Sequence, residues 1–110
     1  MDLVVGVYEV TARYPKHELY GLTSQTRRAA VSIPANIAEG HGRMYRGEYV
    51  HHAAIARGST CELITCLEIG QRLKYVSETE LAPNLARADD VKAMVTRLMD
   101  ALRRSPNLKW

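Results

Sequence analysis

Phenylalanine is absent from this 110-residue chain, which has six tyrosines and one tryptophan as its only aromatics. A core built without large aromatics is aliphatic and alanine-rich, which suits closely packed helices better than a sheet sandwich. Only two cysteines occur, Cys61 and Cys66. That count excludes a secreted disulfide framework, and their five-residue spacing turns them about 140° apart on a helix, too divergent to share a metal. They read as small buried residues. No apolar run follows a basic N-terminal stretch, so neither a signal peptide nor a membrane-spanning helix is expected, and a reducing cytoplasm is the default compartment. No segment alternates apolar and polar residues for long enough to be a strand, and no internal repeat or low-complexity tract is visible. Gly40-His41-Gly42 is too short for a phosphate-binding loop and has no strand before it. The formal charge of +3 and isoelectric point near 9.0 permit contact with an anionic partner without requiring one.

What the chain does have is helical periodicity in four segments. The first runs from about Asp2 to Arg13, with Leu3, Val7, Val10 and Tyr14 on one face, and stops where Tyr14 precedes a proline. Pro15 and Glu18 then suit the opening of a second helical stretch, which continues through Leu22 and ends at Glu39-Gly40. The third spans roughly Arg46 to Leu73, with Tyr49, Ala53, Ala56, Thr60, Leu63 and Leu67 as its seam. The fourth starts after a capping-box pattern at Ser77 and Glu80, and carries Leu81, Leu85, Ala88, Val91, Val95, Leu98 and Leu102. Pro83 is expected to delay its start or kink its first turns. Together these predict one all-α domain, an antiparallel up-down-up-down four-helix bundle over residues 1–104 followed by a tail over 105–110. The tail is expected to fray, with Leu108 and Trp110 able to dock. A first helix barely half as long as the third would leave apolar surface uncovered, which favours self-association.

The second helix also carries a polar stripe. Arg28, Ser32 and Asn36 recur at i, i+4 spacing with Glu39 three residues on, a pattern that shares one helical face. Polar groups set among Ala29, Val31, Ile33, Ile37 and Ala38 are costly to bury without partners. Arg57, Ser59 and Glu62 on the third helix are the predicted partners, with Arg28 and Arg57 pairing to Glu62 and Glu39. Ser32 and Asn36 are expected to satisfy backbone groups released by Pro34, and Gly58 to let the third helix approach closely. A structural polar network is the favoured reading of these seven residues, and a ligand or catalytic pocket the alternative. Ser32 and Ser59 have no evident histidine partner; His41 lies after the glycine turn. Glu48 and His51 form the E-x-x-H spacing that di-iron bundles use, but those sites need two such pairs, and here only one exists. No metal site, cofactor or catalytic residue is therefore expected, with His51 and His52 at the surface or an interface.

The run Tyr8, Thr11, Tyr14-Pro15, Glu18, Tyr20-Gly21-Leu22, Gln25, Arg27-Arg28-Ala29, Ser32-Ile33-Pro34, Asn36-Ile37-Ala38-Glu39-Gly40, Ala56-Arg57-Gly58-Ser59 and Glu62-Leu63 resembles one family over nearly the whole chain. It is the four-helix-bundle family first noticed as products of intervening sequences in bacterial large-subunit ribosomal RNA genes. The resemblance implies a left-handed bundle that assembles into a ring-like homopentamer. A related branch, the accessory variability proteins of diversity-generating retroelements, binds nucleic acid and a reverse transcriptase. The chain departs from the family pattern at its N-terminus, which looks truncated or started at an internal methionine, at Tyr45-Arg46, at Lys74 and at Pro83.

Arg27, Arg43, Arg46, Arg72, Lys74, Arg103 and Arg104 gather towards helix ends and connections, with Tyr45 as a local stacking residue. Repeating the net +3 around five subunits gives +15, a concentrated positive field. The expected function is a cytoplasmic, non-enzymatic homo-oligomer, acting as a scaffold or as an accessory protein that contacts RNA or DNA. A structural or protein-interaction module without nucleic acid is the alternative, and a small metal-dependent bundle enzyme the weaker one.

Overall fold

A computed structural model describes residues 1–43 and 45–104; the expectations for the tail, including Leu108 and Trp110, lie outside the described residues. Four helices follow one another: α1 (Asp2–Thr11), α2 (Leu22–Gly42), α3 (Arg46–Arg72) and α4 (Glu78–Arg104), with a single 3-10 turn at Lys16–Glu18 between α1 and α2. Each pairs antiparallel with its neighbours, giving an all-α bundle 49 × 24 × 18 Å. α1 packs between α2 and α4, diagonal to α3.

The seams read from the sequence form the core. Leu3, Val7, Val10 and Tyr14 share one core cluster with Ala29, Ala30 and Ile33, and the full α3 seam from Tyr49 to Leu67 is buried. On α4 the core residues are Leu81, Ala88, Val95, Met99 and Leu102, while Leu85, Val91 and Leu98 are half-buried beside them. Three core threonines donate back to the carbonyl four residues earlier: Thr11 to Val7 at 2.8 Å, Thr26 to Leu22 at 2.6 Å and Thr60 to Ala56 at 2.9 Å. Each hydroxyl is thereby satisfied without leaving its own helix.

Helix ends follow local chemistry. Glu80 N–H bonds Ser77 Oγ at 3.1 Å, and Glu80 Oε1 accepts from Ser77 N–H at 3.4 Å, so the capping box opens α4 as expected. Pro83 neither delays the helix nor ends it. α2 begins later than its sequence suggests, because residues 19–21 form a turn after the 3-10 segment. Glu18 holds that turn: its carboxylate accepts from the Leu22 amide at 3.2 Å and from the Tyr75 hydroxyl at 2.9 Å. α3 ends in a Schellman motif, with Tyr75 N–H to Gly70 O and Lys74 N–H to Gln71 O, both 2.9 Å. Lys74 therefore occupies the left-handed region at φ 65°, where glycine is preferred.

α1 is ten residues long against 27 for α3 and α4. At about 1.5 Å per residue it is about 15 Å long, against about 40 Å for α3 or α4. Beside α1 the facing sides of α2 and α4 line an apolar groove of about 600 Å³. Ile33, Pro34 and Ile37 form one wall, Val91, Met94 and Leu98 the other, and Met1, Leu3 and Val4 the end. Among the described residues no helix is long and apolar enough to cross a membrane.

Candidate functional site

Ser32 and Asn36 sit one turn apart on the face of α2 that meets α3. Ser32 Oγ lies 2.8 Å from Ser59 Oγ, joining the two helices. The Asn36 amide nitrogen donates to Ser32 O at 2.9 Å and to Ser32 Oγ at 3.0 Å. With the nitrogen turned towards Ser32, Asn36 Oδ1 faces His52 Nδ1 at 3.0 Å. An amide oxygen can only accept, so His52 carries its proton on Nδ1. Ser59, Ser32, Asn36 and His52 thus form one continuous half-buried chain across the α2–α3 interface.

Other expected partners separate. Glu39 is exposed and pairs with Arg43, four residues on along its own helix, at 2.7 Å, not with Arg57. Arg57 turns to α4 and donates to Thr96 Oγ1 at 2.9 Å. The reason is geometric: Arg57 and Ser59, two positions apart, point about 200° from each other. Arg28 and Glu62 do not pair; neither makes a hydrogen bond or ion pair among the described residues, although both line a polar depression of about 560 Å³ over Ser32 and Ser59. Neither Ser32 nor Asn36 reaches the carbonyl released by Pro34. Pro34 lies two residues from each, on the opposite side of α2, where it lines the apolar groove. Gly58 has open space around it, so it is not the point of close approach. Gly40 is: a Cβ there would stand 2.8 Å from His52 Cβ and 3.1 Å from the Tyr49 ring.

His52, expected at the surface or an interface, instead lies half-buried within the bundle and bonds Asn36. A signal was present, since His52, Ser59 and Glu62 share a stripe at i, i+7, i+10. His41 stacks edge-on against Tyr49, ring centres 5.8 Å apart, and borders the groove instead of approaching either serine. Among the described residues no three histidine, cysteine or carboxylate side chains converge as a metal site. Both cysteines are free, and burial pushes the Cys66 thiol upward, with the charge of Glu62 adding to the effect. That suppresses the nucleophilic thiolate.

The basic residues do not form one patch. Arg43, Tyr45, Arg46, Arg103 and Arg104 belong to the end where α2 meets α3 and α4 stops; Arg72 and Lys74 belong to the opposite end. Tyr45, at the start of α3, is exposed and makes no side-chain cap. Arg27 is engaged internally: its Nε donates to Thr11 Oγ1 at 2.8 Å and its guanidinium lies 4.6 Å over the Tyr8 ring. Arg43 is held by Glu39 and faces Glu48 at 3.9 Å.

Residues 1–97 match the family model described as 23S rRNA-intervening sequence protein. The chain belongs to that family. No curated protein matches the chain. Among solved structures, this family member resembles a protein of unknown function from the S23 ribosomal protein family of Bacteroides thetaiotaomicron. The TM-score is 0.76 at 19% identity, over 87% of each chain, which shows a shared fold.

Proposed function

We propose that this intervening-sequence family member is a cytoplasmic, non-enzymatic bundle that assembles into a ring-like homo-oligomer, a homopentamer, and serves as a scaffold or accessory protein for nucleic acid. The apolar groove between α2 and α4 supports this reading. It is apolar on both walls, and the outer face of α1 offers apolar residues to fill it: Val5 and Tyr8, at i and i+3, are 55 and 42% exposed. A stripe on one copy seated in the groove of the next is a head-to-tail contact between unlike surfaces, which closes into a ring when the rotation permits. Repetition would also multiply the Arg103–Arg104 end of the bundle around the assembly, raising local positive potential.

Light scattering at micromolar concentration tests the assembly: five-copy mass is expected, and a monomer would overturn it. Mobility shifts with structured RNA and duplex DNA at two salt concentrations test the second part; absence of binding at low salt would sink it. A structural or interaction module without nucleic acid is the second reading. It is favoured by the internal engagement of Arg27, and by the Glu39 carboxylate that competes with a phosphate for exposed Arg43.

A further inference from the structure

The polar depression between α2 and α3 holds one cation and one anion that do not meet. Arg28 and Glu62 both line it, yet they stay beyond the 4 Å of an ion pair, and neither makes another hydrogen bond or ion pair among the described residues. Tyr20 stands at the same depression with 94% of its surface exposed, the ring open to solvent. Gln25 lines it too, and beneath lies Ser59, whose hydroxyl is positioned through Ser32.

These side chains define a ligand with three features. An exposed tyrosine ring is a platform on which a flat base stacks. A lone carboxylate accepts only, and pairs best with two adjacent donors. Among the common bases, guanine alone presents these on its Watson–Crick edge, as N1–H and the N2 amino group. An arginine has five donors and no acceptor, and suits a phosphate. A negative charge beside a phosphate-binding cation disfavours a general phosphate site, but not one in which the carboxylate meets the base and the arginine the phosphate. We propose that this depression binds a guanine nucleotide, with Tyr20 stacking the base, Glu62 accepting from its N1–H and N2 amino group, and Arg28 holding the phosphate. The inference stands on the depression, independent of ring assembly, and the ligand is either a free nucleotide or a guanine within single-stranded RNA.

The full chain is titrated calorimetrically with GMP, IMP and AMP, and by anisotropy with a labelled uridine-rich RNA carrying one central guanine or adenine. GMP is expected to bind about tenfold or more tightly than AMP, and IMP, lacking the N2 amino group, to lose much of that advantage. E62Q should reduce the guanine preference to about threefold or less. R28Q should weaken GMP while leaving guanosine unaffected. Thermal melts of both exposed-residue variants control for folding. Absence of GMP and guanine-RNA binding, or a preference unchanged in E62Q, overturns the site. GMP binding without RNA binding identifies the free nucleotide and counts against the nucleic-acid role above. RNA binding without guanine preference rejects the site and leaves that role standing.

Discussion

Asn36 Oδ1 accepts a hydrogen bond from His52 Nδ1 at 3.0 Å, so the amide joins a histidine on α3 to a serine on its own helix. Replacing Asn36 by alanine removes three hydrogen bonds at once and leaves Ser32 and His52 half-buried without that partner. Asn36→Ala is expected to cost about 1–2 kcal/mol, read as a lower urea midpoint with unchanged slope. Arg28→Ala, at the exposed end of the same stripe, should change stability by about 0.5 kcal/mol or less.

Two glycines on the facing helices should respond in opposite directions. At Gly40 a methyl group would press on His52 Cβ and the Tyr49 ring, and the Tyr49 backbone stands close behind. Gly40→Ala is expected to destabilise by about 1–3 kcal/mol, partly offset by better helix propensity. Gly58 lies exposed in mid-helix with nothing near its missing Cβ, so Gly58→Ala should stabilise by up to about 1 kcal/mol. Paired thermal melts check both.

Lys74 occupies a left-handed position that ends α3, and its two Schellman hydrogen bonds are made by backbone alone. Lys74→Gly keeps both bonds and relieves the Cβ strain. A gain of about 0.5–1 kcal/mol is expected by equilibrium denaturation, despite the higher entropy of the unfolded glycine chain.

Acid should weaken the bundle through specific carboxylates. The Leu22 amide, then the Tyr75 hydroxyl, hold Glu18 below the usual carboxylate range; Arg43 does the same for Glu39, and Ser77 for Glu80. A lowered native value means that the unfolded chain takes up protons first. The stabilisation is therefore complete above about pH 4.3 and is lost as pH falls through the lower native values. Glu18→Gln should flatten that acid slope. At the alkaline end Tyr75, beside Glu18, and buried Tyr14 are both raised. Their contribution holds below about pH 10 and disappears as pH rises through the native values. Urea midpoints measured across pH 3 to 11 test both limbs.

The helices were legible because burial on α3 and α4 repeats at helical spacing without interruption, and because the Ser77–Glu80 cap is entirely local. The 3-10 turn before α2 was not, since it depends on Glu18 meeting Tyr75 from a distant part of the chain. At the site, periodicity identified Ser32, Asn36 and Ser59 as sharing facing stripes. It leaves open which residues of the opposite helix stand level with them, so neither the His52 bond nor the close approach at Gly40 instead of Gly58 is readable from spacing. Arg57 could have been assigned correctly, because a residue two positions from Ser59 faces away from it.

α1 has ten residues, fewer than an isolated helix needs to persist in water. Its folding is conditional on docking against α2 and α4, with the Arg27–Thr11 bond as one of its few polar ties. α1 stands directly beside an open apolar groove. An occupant that binds the groove and contacts Met1 lowers the frequency with which α1 detaches, and detachment of α1 dismantles the end of the groove. Amide exchange along α1 is therefore a reporter of assembly: its protection rises with protein concentration if copies fill one another's grooves, and stays constant if they do not.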